Sequence, residues 1–213
     1  MTVLHWQRLA DDGVEFRPRH PNDFYPTNIE HVETALSLIP ITPEWVLDPG
    51  MGDGIFGRVA RTHWRNANLV GVELRLDAPF YAAYDWNIRA DFLQMQGVPP
   101  MFDAVIGNPP YQCAEAFIRQ SMALLRDGGY MVFLLRLAFL ESMSRYTLFT
   151  RELTPQKIVV CSDRPSFTGD GKTDATAYAF FVWQKGYVGA TTLEWIISRP
   201  NNAKYEWYQP HLL

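Results

Sequence analysis

The sequence predicts an α/β fold in which helices cover both faces of one doubly wound, mostly parallel sheet. Short apolar runs alternate with helix-length amphipathic segments along the 213 residues, a pattern typical of that class. The run at residues 130–135 is continuously apolar, as a parallel strand buried on both faces should be. A glycine-rich stretch directly follows the first apolar run, where folds of this class place a ligand-binding loop.

The boundaries of the elements follow from apolar periodicity and from stop signals. The first helix is expected at residues 28–39, because Thr27 is a suitable N-cap and Pro40 lies beyond its end. Gly128 and Gly129 mark a turn after the fourth helix. Further helices are expected at residues 55–64, 80–87, 113–125 and 137–149. Strands are expected at residues 45–47, 68–73, 89–91, 102–106, 130–135, 157–161 and 176–183, with a further candidate at 191–197.

The most informative segment is Asn108-Pro109-Pro110-Tyr111, which ends the fourth expected strand. The side-chain carbonyl of Asn108 and the backbone carbonyl of Pro109 lie side by side, so both can accept hydrogen bonds from one NH2 group. Such a pair favours a pyramidal nitrogen with an available lone pair. The ring of Tyr111 can stack on a flat substrate. The segment therefore predicts chemistry on an amine that is conjugated to a ring or a carbonyl.

A second informative segment is the loop after the first expected strand, at residues 48–54. Its glycines let the backbone approach a ligand, but their spacing matches neither the dinucleotide-binding nor the P-loop pattern. The carboxylates of Asp48 and Asp53 would repel a phosphate and would suit an ammonium group. Glu73 ends the second expected strand, where doubly wound folds hold a ribose. A ligand with an ammonium group and a ribose but no phosphate is S-adenosylmethionine.

Together these segments resemble the class I S-adenosylmethionine-dependent methyltransferases, and among them the N6-adenine DNA methyltransferases. The motif order is that of the gamma group: the glycine-rich loop at residues 48–54 (the glycine loop) comes ahead of the catalytic tetrapeptide at residues 108–111. Residues 24–27 (Phe-Tyr-Pro-Thr) resemble the extra cofactor motif, and residues 91–92 (Asp-Phe) resemble the pair that contacts the cofactor's adenine. Residues 164–167 (Arg-Pro-Ser-Phe) resemble a later motif whose aromatic side chain packs on the flipped base. The stretch at 174–183 resembles the closing strand of small phage and prophage enzymes.

The resemblance, which covers about residues 22–186, implies a Rossmann-like class I methyltransferase sheet with an antiparallel last strand. It implies S-adenosylmethionine as cofactor and direct in-line methyl transfer to adenine N6 in DNA, with no metal. The implied catalytic residues are Asn108, Pro109, Pro110 and Tyr111. The implied cofactor-binding residues are Tyr25, Pro26, Thr27, Asp48, Pro49, Gly50, Gly52, Gly54, Glu73, Asp91 and Phe92. The implied substrate-binding residues are Tyr111, Arg164, Phe167 and Lys172.

Charge bears on the expected partner. The formal net charge is -4 and the isoelectric point is about 5.7, whereas DNA-binding affinity comes largely from Lys and Arg contacts to phosphates. Basic residues expected at the ligand-binding edge of the sheet are Arg136, Arg164 and Lys172. We therefore expect DNA that is single-stranded or recognised with loose specificity, and a homodimer is possible.

Residues 1–213 are expected to form one catalytic domain, because the segments outside the core are too short for a separate target-recognition domain. No apolar stretch is long enough for a membrane span, and the first residues do not resemble a signal peptide. The two cysteines, Cys113 and Cys161, have no metal-binding spacing. These observations predict a reducing, cytoplasmic setting without membrane attachment.

Two alternative functions remain open at this point. The same tetrapeptide also occurs in methyltransferases that modify adenine in RNA or a glutamine amide in a protein, because these substrates present similar nitrogens. The chain could also be a catalytically silent module that binds S-adenosylmethionine and acts through a partner.

Overall fold

The computed structural model describes residues 27–163 and 176–197. The helices in these ranges are α1 (Ile29–Ser37), α2 (Ile55–His63) and α3 (Ala114–Leu124). Short helical turns lie at Phe92–Gln94, Tyr111–Cys113, Leu137–Leu140, Met143–Arg145 and Leu148–Glu152. The strands are β1 (Trp45–Asp48), β2 (Asn68–Glu73), β3 (Trp86–Arg89), β4 (Phe102–Gly107), β5 (Leu125–Arg136), β6 (Lys157–Cys161), β7 (Tyr178–Gln184) and β8 (Thr192–Ile196).

The strands form one sheet in the order β3-β2-β1-β4-β5-β7-β6-β8. Each neighbouring pair is parallel except those that involve β7, which runs antiparallel to both β5 and β6. The doubly wound sheet and the antiparallel seventh strand are thus confirmed. The candidate strand after β7 is also present as β8, which is parallel to β6 and extends the sheet beyond it.

Two hydrophobic layers enclose the sheet. Alternation along β4 shows how they are built: Ala104 and Ile106 face the layer that contains α1 and α2, while Val105 faces the layer that contains α3. All three side chains are at most 1% exposed. The strand is therefore apolar on both faces, as the continuous apolar runs of the sequence predict.

The predicted helix at residues 80–87 is wrong, and β3 starts at Trp86 instead of near residue 89. The segment is held by side chains that a helix would displace. The carboxylate of Asp85 accepts a hydrogen bond from the backbone N–H of Leu69 on β2 and another from Arg61 on α2. Tyr84 is buried against α2. Tertiary contacts to two elements thus override a weak local helical pattern.

The predicted single helix at residues 137–149 is also wrong, because the chain forms separate short helical turns there. Polar side chains bond to nearby backbone groups and so compete with helical hydrogen bonds. The hydroxyl of Ser142 accepts from the N–H of Ser144, and the Nε of Arg145 donates to the carbonyl of Phe139. β5 is longer than predicted and begins at Leu125, so the expected glycine turn lies within it.

A close contact between Gly57 on α2 and the ring of Tyr84 yields the first prediction. A Cβ at position 57 would lie 2.3 Å from Cζ of Tyr84, far inside van der Waals distance. We expect Gly57→Ala to lower the free energy of unfolding by about 3 kcal/mol, because overpacking displaces the buried ring. Urea denaturation measures the change.

Gly50→Ala is the matched control for Gly57→Ala. Its added Cβ would meet the ring of Phe117 at 3.7 Å, an ordinary contact distance. Its unfolding free energy should stay within about 1 kcal/mol of the wild type. Equal destabilisation in the two variants would contradict the packing argument.

Within the described ranges, no helix combines the length and the apolar composition required to cross a membrane.

Candidate active site

A cleft of about 280 Å³ lies at the carboxyl ends of the central strands. The order of the strands reverses between β1 and β4, so the loops that follow these two strands diverge and leave a crevice. The cleft collects most of the predicted site residues that the structure describes. Those that line it are Thr27, Pro49, Gly50, Gly52, Glu73, Asp91, Phe92, Asn108 and Pro110.

The glycine loop forms one wall of the cleft and leads directly into α2. Gly54 is the N-cap of α2 and has a φ of 74°, a left-handed conformation that favours glycine. Gly54 does not line the cleft, because the ring of Tyr81 covers it: a Cβ there would lie 2.6 Å from Cγ of that ring. The ring of Tyr81 thus packs on the loop at a position outside the lining of the cleft.

Glu73 links the end of β2 to the glycine loop. Its side chain is only 7% exposed, and its Oε2 accepts a hydrogen bond of 2.9 Å from the N–H of Gly52. Arg75 pairs with the same carboxylate, with 3.1 Å between its Nε and Oε1 of Glu73. It also donates to the carbonyl of Gly52. Arg75 was not among the predicted site residues, although a basic residue two positions after a strand-end acid was a usable signal.

Asp48 does not line the cleft. Its carboxylate is 1% exposed and lies beneath the glycine loop, where Oδ2 accepts a hydrogen bond of 2.6 Å from the hydroxyl of Tyr84. That hydroxyl in turn accepts from the N–H of Gly57. Asp48 therefore connects the end of β1 to α2 through Tyr84, a residue that the sequence analysis missed. No local sequence pattern identifies Tyr84 as a partner of Asp48, because the two residues are 36 positions apart.

The environment of Asp48 predicts a pH-dependent stability. Burial, only partly opposed by the hydrogen bonds from Tyr84 and Gly50, raises the pKa of Asp48 from 3.8 to about 7. Glu73 and Asp53 raise the pKa further through their charges. The folded state therefore binds this proton more tightly than the unfolded state, and the stability so gained is lost as the pH rises from about 4 to above 7.

We expect Asp48→Asn to remove this loss. The stability of the variant relative to the wild type should increase by on the order of 4 kcal/mol between about pH 4 and pH 8. Urea denaturation at several pH values measures the difference between the two proteins. A constant difference across that range would show that Asp48 titrates with an ordinary pKa.

Asp91 and Phe92 form the far wall of the cleft. The Oδ1 of Asp91 accepts from the N–H of Leu93 and caps the short helical turn at Phe92–Gln94. Phe92 is 2% exposed and packs against Phe117 on α3, with the ring centroids 5.0 Å apart. Packing thus holds an acid and an aromatic side chain together at the carboxyl end of β3.

Asn108 is the first residue of the tetrapeptide. It directly follows β4 and lines the cleft. Its Nδ2 donates a hydrogen bond of 3.1 Å to the hydroxyl of Thr27. The nitrogen of the carboxamide thus lies on the side of Thr27. The N-cap of α1 is Asn28, so the predicted capping role of Thr27 is wrong. Thr27 is buried against Asn108 instead and positions that side chain.

The remaining residues of the tetrapeptide differ in exposure. Pro110 lines the cleft, whereas Pro109 is buried and Tyr111 is half-buried, and neither of these two lines the cleft. The ring of Tyr111 packs against Tyr178 of β7, with centroids 5.9 Å apart. The guanidinium of Arg136 lies 4.7 Å from the centroid of the Tyr111 ring and over it. Burial, followed by the charge and hydrogen bond of Tyr178, raises the pKa of Tyr111 well above its usual range.

Several predicted site residues lie outside the described ranges. These are Tyr25, Pro26, Arg164, Phe167 and Lys172.

Comparisons with known proteins give matches to solved structures alone. No protein-family model and no curated protein sequence matches the chain. A predicted O-methyltransferase from Agrobacterium tumefaciens is 21% identical, with a TM-score of 0.58 over 78% of this chain and 86% of that one. A Listeria monocytogenes protein described as a class I S-adenosylmethionine-dependent methyltransferase is 14% identical, with a TM-score of 0.57 over 83% of this chain and 65% of that one.

A third similar structure is the M protein of the type I restriction enzyme EcoKI, which is 17% identical. Its TM-score is 0.57 over 77% of this chain, and the match spans only 44% of the M protein. At these identities the likeness concerns the fold. The strand order, the antiparallel seventh strand and these three structures agree, and the chain has the fold of the class I S-adenosylmethionine-dependent methyltransferases.

Proposed function

We propose that this protein transfers a methyl group from S-adenosylmethionine to the exocyclic N6 amine of adenine in DNA. One observation carries the proposal: a single cleft joins the glycine loop after β1 to Asn108 at the end of β4. A methyl donor bound along the loop would thus adjoin a side chain that can hold an amine. The likeness to methyltransferase structures supports the reaction class and the cofactor.

The residues of the cleft fit S-adenosylmethionine. Glu73 offers a carboxylate to the ribose hydroxyls at the end of the second strand. Asp91 and Phe92 offer an acceptor and an apolar ring to the adenine, and the backbone around Gly50 and Gly52 adjoins the amino-acid portion. When bound, the cofactor supplies a methyl group on a positively charged sulfur, which is open to attack by an amine.

Asn108 would orient the amine that is methylated. Its NH2 group donates to the hydroxyl of Thr27, and its side-chain carbonyl is an acceptor of the kind that a substrate amine requires. The backbone carbonyl of Pro109 is the second acceptor. A neutral carboxamide is not a strong base, so Asn108 polarises and positions the amine. The amine held in this way would direct its lone pair to the methyl group that S-adenosylmethionine supplies, and it would release its proton to water.

Two features favour a DNA base as the acceptor. The aromatic ring of Tyr111 follows the two carbonyl acceptors directly, so a planar base can stack beside the position of its amine. A flipped base is the form in which enzymes of this kind meet their target. The likeness to a type I restriction enzyme M protein points in the same direction.

The test is transfer of tritiated methyl from S-adenosylmethionine to three acceptors in parallel: DNA free of N6-methyladenine, total RNA and cell-extract protein. The DNA is supplied both single-stranded and double-stranded, because the net charge of -4 does not favour tight duplex binding. We expect label in DNA, recovered as N6-methyladenine. Label confined to RNA or protein would replace the proposed substrate, and bound cofactor without transfer to any acceptor would indicate a silent module.

A further inference from the structure

Arg136 holds an unusual position next to the tetrapeptide. It is the last residue of β5, which adjoins β4 in the sheet, so its side chain starts at the same edge as Asn108. Its register partner on β7 is Tyr178, whose ring packs against Tyr111. Arg136 and Tyr178 thus approach the ring of Tyr111 from neighbouring strands.

The two neighbours meet the ring of Tyr111 in different ways. The ring of Tyr178 is tilted by 47° relative to that of Tyr111 and does not stack on it. The guanidinium of Arg136 lies over the Tyr111 ring, 4.7 Å from its centroid. A guanidinium is planar, delocalised and weakly hydrated, so it stacks on an aromatic face much as a nucleobase does.

We propose that Arg136 is a substrate-binding residue that covers Tyr111 until the target base arrives, and that it then moves to a DNA phosphate beside the flipped nucleotide. The proposal rests on the function proposed above, in which Tyr111 stacks on the target adenine. A base and a guanidinium cannot lie over the same ring face together, so base entry there requires Arg136 to leave.

A phosphate is the partner that best replaces the aromatic ring. The guanidinium presents several N–H groups in one plane and binds phosphate oxygens in a bidentate manner. A nucleotide whose base reaches Tyr111 brings its own phosphates to the carboxyl edge of the sheet, where the Arg136 side chain begins. The same side chain would therefore protect the ring in the free protein and hold the backbone in the complex.

The experiment compares Arg136→Ala with the wild type on two ligands, with S-adenosylhomocysteine present throughout. The first ligand is an adenine-containing oligonucleotide, the substrate of the proposed reaction. The second is free 2′-deoxyadenosine, which carries the base but no phosphate.

We expect the effects on the two ligands to have opposite signs. Arg136→Ala should weaken oligonucleotide binding and reduce the slope of log affinity against log salt by about 0.9 for duplex or about 0.7 for single strands, the change for one lost phosphate contact. It should strengthen nucleoside binding by about tenfold, because no stacked guanidinium has to be displaced. Arg136→Lys should restore most of the salt slope.

Arg145→Ala is the matched control. Arg145 also stacks on an aromatic ring, 4.6 Å from the centroid of Phe139, and its loss changes the net charge equally. Its guanidinium donates to the backbone carbonyls of Phe139 and Glu141 within its own segment. Neither the salt slope nor nucleoside binding should change in this variant.

Outcomes that contradict the proposal differ from those that contradict the methyltransferase function. If the wild type methylates DNA but Arg136→Ala leaves both affinities unchanged, or shifts both in the same direction, the role of Arg136 is refuted alone. If the wild type methylates no DNA under any condition, the proposed function fails and the role of Arg136 fails with it.

Discussion

An Asn108→Ala variant should bind S-adenosylmethionine with the affinity of the wild type and lose about 100-fold to 1,000-fold in turnover. Asn108 lines the cleft and would contact the reacting amine. Its contribution is therefore expected in the transition state, which lowers kcat and leaves cofactor binding unchanged. Calorimetric titration gives the cofactor Kd, and initial rates of labelled methyl transfer give kcat.

Thr27→Val is the graded companion to Asn108→Ala. Valine keeps the shape of threonine but removes the hydroxyl that accepts the hydrogen bond from Nδ2 of Asn108. We expect a loss of about tenfold in turnover, the effect of one hydrogen bond, because the carboxamide is still present but less well oriented. Full turnover in Asn108→Ala would refute the assigned role, whatever the companion shows.

Removal of the Glu73 carboxylate is expected to act on the cofactor instead. Glu73→Ala should raise the Kd for S-adenosylmethionine about 100-fold, because two hydrogen bonds to a charged group are lost at the ribose. With saturating cofactor, turnover should return close to that of the wild type. This separation of Kd from kcat is the reverse of the pattern expected for Asn108.

Glu73 also has structural partners, so two further variants are needed. Glu73→Gln retains an oxygen that can accept from the N–H of Gly52 but loses the charge that pairs with Arg75. Asp77→Asn removes an exposed acid from the segment that follows β2, and it should leave the cofactor Kd unchanged. A cofactor Kd that stays constant in both Glu73 variants would exclude Glu73 from the binding site.

The position of the cleft was predictable because parallel strands share an edge. Once Asp48, Glu73 and Asn108 are each assigned to the end of a strand, the sheet brings their loops together without further information. Glu73 and Asn108 do line one cleft. The apolar runs of the sequence supported that prediction, because Asp48, Glu73 and Asn108 each stand at the end of one run.

Side-chain direction at the site was not predictable in the same way. Asp48 points beneath its loop because Tyr84, from the segment before β3, supplies a buried hydroxyl there. The ring of Tyr111 packs against Arg136 of β5 and Tyr178 of β7, two residues that are distant from it in the sequence. These outcomes depend on tertiary contacts between separated residues, which no local pattern encodes.

The packing of two tyrosines against three glycines limits how this part of the chain can evolve. Tyr81 meets Gly54, and Tyr84 meets both Gly57 and Gly71, each within 3.0 Å of the place where a Cβ would sit. A larger residue at Gly57 becomes tolerable only after the facing ring of Tyr84 has been lost, so the order of mutations at these two positions matters. In related sequences, residues bulkier than glycine at position 57 should therefore accompany a smaller side chain at position 84.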